Sequence, residues 1–239
     1  MADVPLTKDR AKVKLNRCLE EGTVVYSLHF RDELLNDDLT IEDVLTICRA
    51  GVIVTAPEPD IRNAKMKRKS HECTNCGEGV TPGRRNYRYS ESGISNVILQ
   101  GLDVTDCPKC HNVEVTIPRM TKIHRAIALA LANYPARLTG EHLRFLRTHL
   151  GMSGEQLGRY LHTDKTKISK WERGEDPIGP ATDRLIRLLA AVLDSDLRAE
   201  VARIARHLPD ISDEPGKAWE IHIDVETLQA SFLATFRAA

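Results

Sequence analysis

The chain has 239 residues, with 14 Gly, 11 Pro, 41% hydrophobic and 28% charged residues, which excludes a fibrous, collagen-like or wholly disordered protein. Aromatics make only 5%, against a single large aromatic core, and the length suits one or two domains or several small ones. The 34 basic and 34 acidic residues cancel, but unevenly: residues 1–61 carry −5, 62–136 carry +6, 137–174 carry +4 and 175–239 carry −5. A basic middle between acidic ends offers one face to a polyanion and another to a basic protein, although solvated charge scattered by chance gives the same profile.

Met1–Arg17 is charged without an apolar run, and the longest apolar stretch, Ala126–Ala132, is too short to span a bilayer. The expectation is a cytoplasmic protein with no membrane segment. Thiols stay reduced there, so the six Cys are not expected to form a disulfide framework.

In chain order, residues 1–61 read as a small α/β unit. Gly22–Leu28 is β-branched and bounded by turn residues, as in a strand. Phe30–Leu35 suits a short helix. Thr40 is placed to cap a helix over Ile41–Ala50, with Glu42 and Asp43 in its first turn and Gly51 past its end. Val52–Thr55 reads as a second strand, and residues 62–72 as a basic linker. Residues 73–120 read as β-rich, clearest at Val97–Leu99 and Val113–Ile117. Thr121 is placed to cap a linker helix over 121–136. Residues 137–194 form a dense run of short helices. Over 195–239, Ser195 suits the cap of one more helix to about Arg206, and Ala218–Val225 alternates like a half-buried strand. The fold class is therefore multi-domain α+β.

Cys73-Thr-Asn-Cys76 and Cys107-Pro-Lys-Cys110 are two C-x-x-C knuckles thirty residues apart. Each two-residue gap lets a tight turn aim both sulfurs at one point, and Gly77 tolerates the positive φ such turns need. Together they supply four thiolates for one tetrahedral Zn²⁺, a closed and hence structural site. A metal also suits a segment too small for a core of its own. Cys107–His111 matches the haem-attachment pattern, but that reading leaves Cys73 and Cys76 unused. A redox pair lacks the flanking βαβ pattern, and four incidental core thiols are the plainest alternative. Cys18 and Cys48 stand alone as core or surface thiols.

Thr139 is placed to cap a helix over Gly140–His149, closed by Gly151. Ser153-Gly-Glu-Gln156 is a capping box opening a second helix to Leu161. Asp164 suits the cap of a third, Lys165–Trp171, ended by Gly174. Thr182–Leu193 follows as an amphipathic helix with Leu185, Leu188 and Leu189 on one side. Two short helices joined by a tight turn, the second rich in lysine, fit a DNA-reading motif. Ile168 and Trp171 are expected to face the core, and Thr166 and Lys170 the solvent. Lys165, Thr166, Lys167 and Lys170, with Ser153, are the candidate DNA-binding residues. A small helical bundle with a solvated lysine face is the alternative.

Leu143–Arg147, Gly151–Ser153, Leu157, Leu161 and Ile168–Gly174 resemble the XRE/Cro-type helix-turn-helix over about fifty residues. The resemblance implies that Arg147 pairs with Glu172 and that Lys165, Thr166 and Lys170 lie where the family reads bases. Gly154 stands where the family often has Gln, and His162 replaces the usual turn Gly. The order of knuckles, β-rich stretch, linker helix and helix-turn-helix further resembles MqsA-like antitoxins with a YgiT-type zinc finger, over residues 70–195. That resemblance implies a dimeric, sequence-specific transcriptional regulator. It would bind a palindromic operator in double-stranded DNA, repress its own operon and contact a cognate toxin. The sequence shows no paired carboxylates, nucleophile elbow or phosphate-binding Gly loop, so no enzyme is expected. The alternatives are a protein-interaction module, or a toxin–antitoxin fusion whose residues 1–61, faintly similar to small toxin-related domains, cleave RNA. Thr182–Leu193 is the expected dimer interface.

Overall fold

A computed structural model describes residues 7–37, 39–51, 72–212 and 218–235. The fold is mixed α and β, a sheet region carrying a helical head in its second half. Helix α1 (Lys8–Glu21) is capped by Thr7 and leads into strand β1 (Thr23–Ser27), then α2 (Leu28–Asn36) and α3 (Ile41–Ala50). Thr40 and Asp43 form a reciprocal capping box at the start of α3, as the Thr and the acidic first turn predict. The expected strand Val52–Thr55 and the linker up to residue 71 lie outside the described residues. Strands β2 (Gly83–Arg88), β3 (Val97–Asp106) and β4 (Val113–Pro118) follow.

Helix α4 (Met120–Ala132) starts one residue before Thr121, which is buried and is not its cap. Tertiary contacts fix that end instead. Arg119 sits at φ 47, its amide bonds Gly22 O at 2.7 Å, and its guanidinium reaches the carbonyls of Val225 and Glu226. Next come α5 (Gly140–His149), α6 (Gly154–Tyr160), α7 (Lys165–Glu172) and α8 (Pro180–Leu193). Ser195 does not cap the next helix. The turn there is built on Asp194, whose Oδ1 accepts from Asp196 N at 2.9 Å, and α9 spans only Val201–His207. A hairpin of β5 (Ala218–Asp224) and β6 (Ala230–Thr235) ends the described chain.

The segments that read as separate units contribute to one six-stranded sheet of order β1-β4-β3-β5-β6, with β2 on β3. β2 runs along Ile98–Val104, so β5 on Val97–Gln100 and β4 on Asp103–Asp106 divide the other edge of β3. Gly101, at φ +74, bends the strand between them, a conformation that favours glycine. Among the described strands, β3 and β5 pair in parallel and the remaining strand pairs are antiparallel.

One apolar cluster runs from Leu19 and Ile41 through Val97, Leu99, Val115 and Ile123 to Leu143, Ile168, Trp171 and Ile221. The helical head and the sheet therefore share a core. α8 buries Asp183 and Arg187, and Leu185 of the expected apolar face is 41% exposed. Arg187 ion-pairs Asp183 at 2.8 Å and donates to the carbonyls of Leu131, Tyr134 and Ala136, while Asp183 accepts from Leu138 N. These bonds satisfy two charges that would otherwise be costly to bury.

Candidate metal centre and nucleic-acid interface

The two knuckles fold alike because each closes on its own backbone. Cys73 N donates to Glu78 O and Gly77 N to Cys73 O; Cys107 N donates to Asn112 O and His111 N to Cys107 O. Gly77 at φ +74 and His111 at φ 58 occupy equivalent left-handed positions. The four sulfurs all lie within 4.8 Å of one another, with Cys73–Cys110 at 3.6 Å and Cys76–Cys107 at 3.5 Å. A tetrahedral metal with metal–sulfur bonds of about 2.3 Å needs sulfurs about 3.8 Å apart, so the set is close to the right size. Glu114 on β4 stitches the knuckles together, accepting from Thr74 N at 2.6 Å, from the Thr74 hydroxyl and from Asn112 Nδ2 at 3.1 Å.

Two of the thiols are shifted in opposite directions. The amide of Asn112 and the side chain of Asn75 draw Cys110 down to about 6. At Cys76 the amide of Glu78 favours the thiolate, yet burial and the neighbouring sulfurs push it up to about 12. A bound divalent ion removes that conflict. These four residues could hold a metal ion, and their closed geometry leaves it no open position.

The helical head is assembled by local chemistry that the sequence announces. Thr139, Ser153 and Asp164 each accept from the amide three residues on, at the starts of α5, α6 and α7. His162 takes the left-handed turn position at φ 53. Leu157, Ile168 and Trp171 are buried between the helices. Gly158 on α6 sits against the turn: a Cβ there would meet Thr163 O at 2.6 Å. Arg147 grips Glu172 with two bonds, 2.6 and 3.2 Å, and donates to Met152 O at 2.8 Å, fastening α5 to α7 and to the loop before α6.

α7 leaves Lys165, Thr166 and Lys170 exposed on one helix. Lys167 differs from them. Its ammonium is 3.0 Å from Asp176 and lies 5.7 Å over the Trp171 ring, so it is engaged within the protein. Ser153 is exposed but spends its hydroxyl on capping Gln156 N. Arg159 on α6 and Arg173 after α7 also point to solvent, held by Glu155 and Glu175. Sequence reading assigned neither arginine to the interface, though the place of Arg159 within the first motif helix and of Arg173 at the end of the second could have flagged them.

Behind the head lies a polar cluster that no local pattern signals. Glu42 of α3 is fully buried. Its carboxylate meets His124 Nδ1 of α4, Arg49 Nη1 at 3.0 Å and His149 Nδ1 of α5 at 3.4 Å. His124 Nε2 is 2.7 Å from the Tyr89 hydroxyl, and His149 Nε2 is 2.9 Å from Asp194. Burial would raise the Glu42 pKa, but His124 and His149 hold it well below the usual carboxylate range. Burial likewise opposes the charged form of His149, while Asp194 and Glu42 outweigh it and raise its pKa.

A family model for a helix-turn-helix domain matches residues 139–205, which covers α5 to α8 and part of α9. No curated protein and no solved structure matches the chain. Among the described residues, no helix is long and apolar enough to cross a membrane.

Proposed function

We propose that the chain is a non-catalytic, cytoplasmic transcriptional regulator of XRE and antitoxin type, bearing one structural Zn²⁺ on Cys73, Cys76, Cys107 and Cys110. In this reading α7 enters the major groove of double-stranded DNA, with Lys165, Thr166 and Lys170 against base edges and phosphates. Ser153 and the amides of the α6 N-terminus meet the backbone beside it. Two copies read the halves of a palindromic operator in the chain's own promoter, and a toxin partner is contacted elsewhere on the surface. The observation that carries the reading is the exposed lysine face of α7 on a scaffold that matches a helix-turn-helix family model.

A mobility-shift assay on the upstream promoter duplex, with zinc-loaded protein, tests it. Binding should weaken steeply as salt rises, since each phosphate contact releases counterions. Lys170→Ala should cost about 1–3 kcal/mol and flatten sequence preference if it touches a base. Lys167→Ala should matter less, because Asp176 already holds that ammonium. Absence of any shift at low salt would overturn the proposal.

A further inference from the structure

α7 ends in a turn that folds the next residues back along it. Gly174, at φ +71, donates its amide to Trp171 O at 3.0 Å, and Glu175 N donates to Lys170 O at 2.9 Å. These two bonds recapture carbonyls that a helix end leaves open, around a glycine in the left-handed region. Asp176 N is 3.4 Å from the same Lys170 carbonyl, and Ile178 is buried, so the chain stays beside the helix. Two adjacent carboxylates are thereby delivered to the last turn. Glu175 accepts two bonds from the Arg173 guanidinium, at 2.6 and 3.1 Å. Asp176 accepts from the Lys167 ammonium at 3.0 Å. Arg173 holds Glu175, and Lys167 holds Asp176, below its ordinary pKa, with Lys170 adding to both. Lys165 and Lys170 are exposed and form no ion pair among the described residues. Within one short stretch, then, two cations are held by carboxylates and two are left open.

We infer that Glu175 and Asp176 set the sequence discrimination of α7 by competing with DNA phosphates for Arg173 and Lys167. This rests on the DNA-binding reading above and adds the residues that restrain it. Exposed ion pairs hold weakly, so a phosphate fixed in register by matched base contacts displaces the carboxylates. On an unmatched duplex no base contact fixes the register. The two cations then stay with their carboxylates, and the acids repel the backbone. Non-specific binding comes almost wholly from phosphate contacts, so it loses more than specific binding does. The gap between the two affinities widens through a repulsive element, at no cost to the open residues Lys165, Thr166 and Lys170.

Fluorescence anisotropy on the zinc-loaded full chain tests this, with two labelled duplexes: the upstream promoter and a shuffled duplex of the same length and composition. Glu175→Gln with Asp176→Asn should tighten binding to the shuffled duplex about fivefold or more and steepen its salt slope by about 1–2, one increment per released cation. Promoter binding should tighten less, so the ratio of the two affinities narrows. Asp176→Asn alone should give part of the gain, and both variants should keep the parent's circular-dichroism melt. Glu20→Gln, which frees Arg125 on α4, should change neither affinity. In a Lys167→Ala, Arg173→Ala background the same acid substitutions should gain less than about twofold, because the cations they hold are gone. An equal gain in both backgrounds, an unchanged ratio or an unchanged salt slope overturns the proposal. If the parent binds neither duplex at low salt, the DNA reading falls and takes this inference with it; if the parent binds and the acid variants match it, the inference alone falls.

Discussion

Replacing Glu42 by Gln keeps the shape of the side chain and removes its charge. His124, His149 and Arg49 then lose the carboxylate they surround, and two of the three are almost fully buried. Breaking a buried ion pair by deleting one partner typically costs about 3–5 kcal/mol. For a chain of this size each kcal/mol moves the midpoint by about 2–4 °C, so the variant should melt roughly 6–20 °C lower. Glu20→Gln is the control: its pair with Arg125 is one-third exposed on both sides and should be worth under about 1 kcal/mol. Melts across pH add a sign. The folded-state pKa of His149 is raised, so its contribution is complete below about 6.5 and fades as pH rises through that raised value. Buried His142 behaves oppositely: burial first, and Arg187 second, push it down to about 3. The unfolded chain then takes up a proton below about 6.5 that the fold refuses, and stability falls on acidification. The His142 loss thus lies on the acid side of about 6.5 and the His149 loss on the alkaline side, and Glu42→Gln should flatten the alkaline loss. A variant with the parent's midpoint and the parent's pH profile would refute the reasoning.

Three further outcomes are expected. Chelation should remove one metal per chain and abolish hydrogen-exchange protection around residues 72–80 and 105–113, where Cys73, Val80 and Cys107 form a small cluster of their own, while residues 140–190 stay protected. Arg147→Ala should lower stability by about 2–3 kcal/mol in urea melts, since it forfeits a charge-assisted two-point grip on Glu172 that is largely shielded from water. Gly158→Ala should cost about 1–3 kcal/mol, because the added methyl collides with Thr163 O and forces α6 from the turn.

What the sequence made legible is what local chemistry decides. Thr40, Thr139, Ser153 and Asp164 lie in reach of amides three residues on, so each cap could be read and each is present. The cysteine spacing foretold a cluster because the backbone of each knuckle closes within six residues. Failures came where distant partners decide. The apolar pattern of α8 pointed to Leu185, but Asp183 and Arg187 win the inner face through carbonyls about fifty residues upstream. Glu42 looked like an ordinary first-turn acid; its burial depends on histidines 82 and 107 residues away. α1, β2 and β6 went unread. The exposed, arginine-rich β2 has no alternating apolar face.

The parallel pairing of β3 with β5 places everything from β4 to α9 inside one connection between neighbouring strands. The helical head is thus an insertion that shares its apolar core with the platform, unlike a bead on a string. Glu141 reinforces the hold by accepting from the amide and hydroxyl of Ser95, just before β3. A head mounted this way shares its core with the platform, so whatever binds the sheet bears on the same packed interior that holds α7.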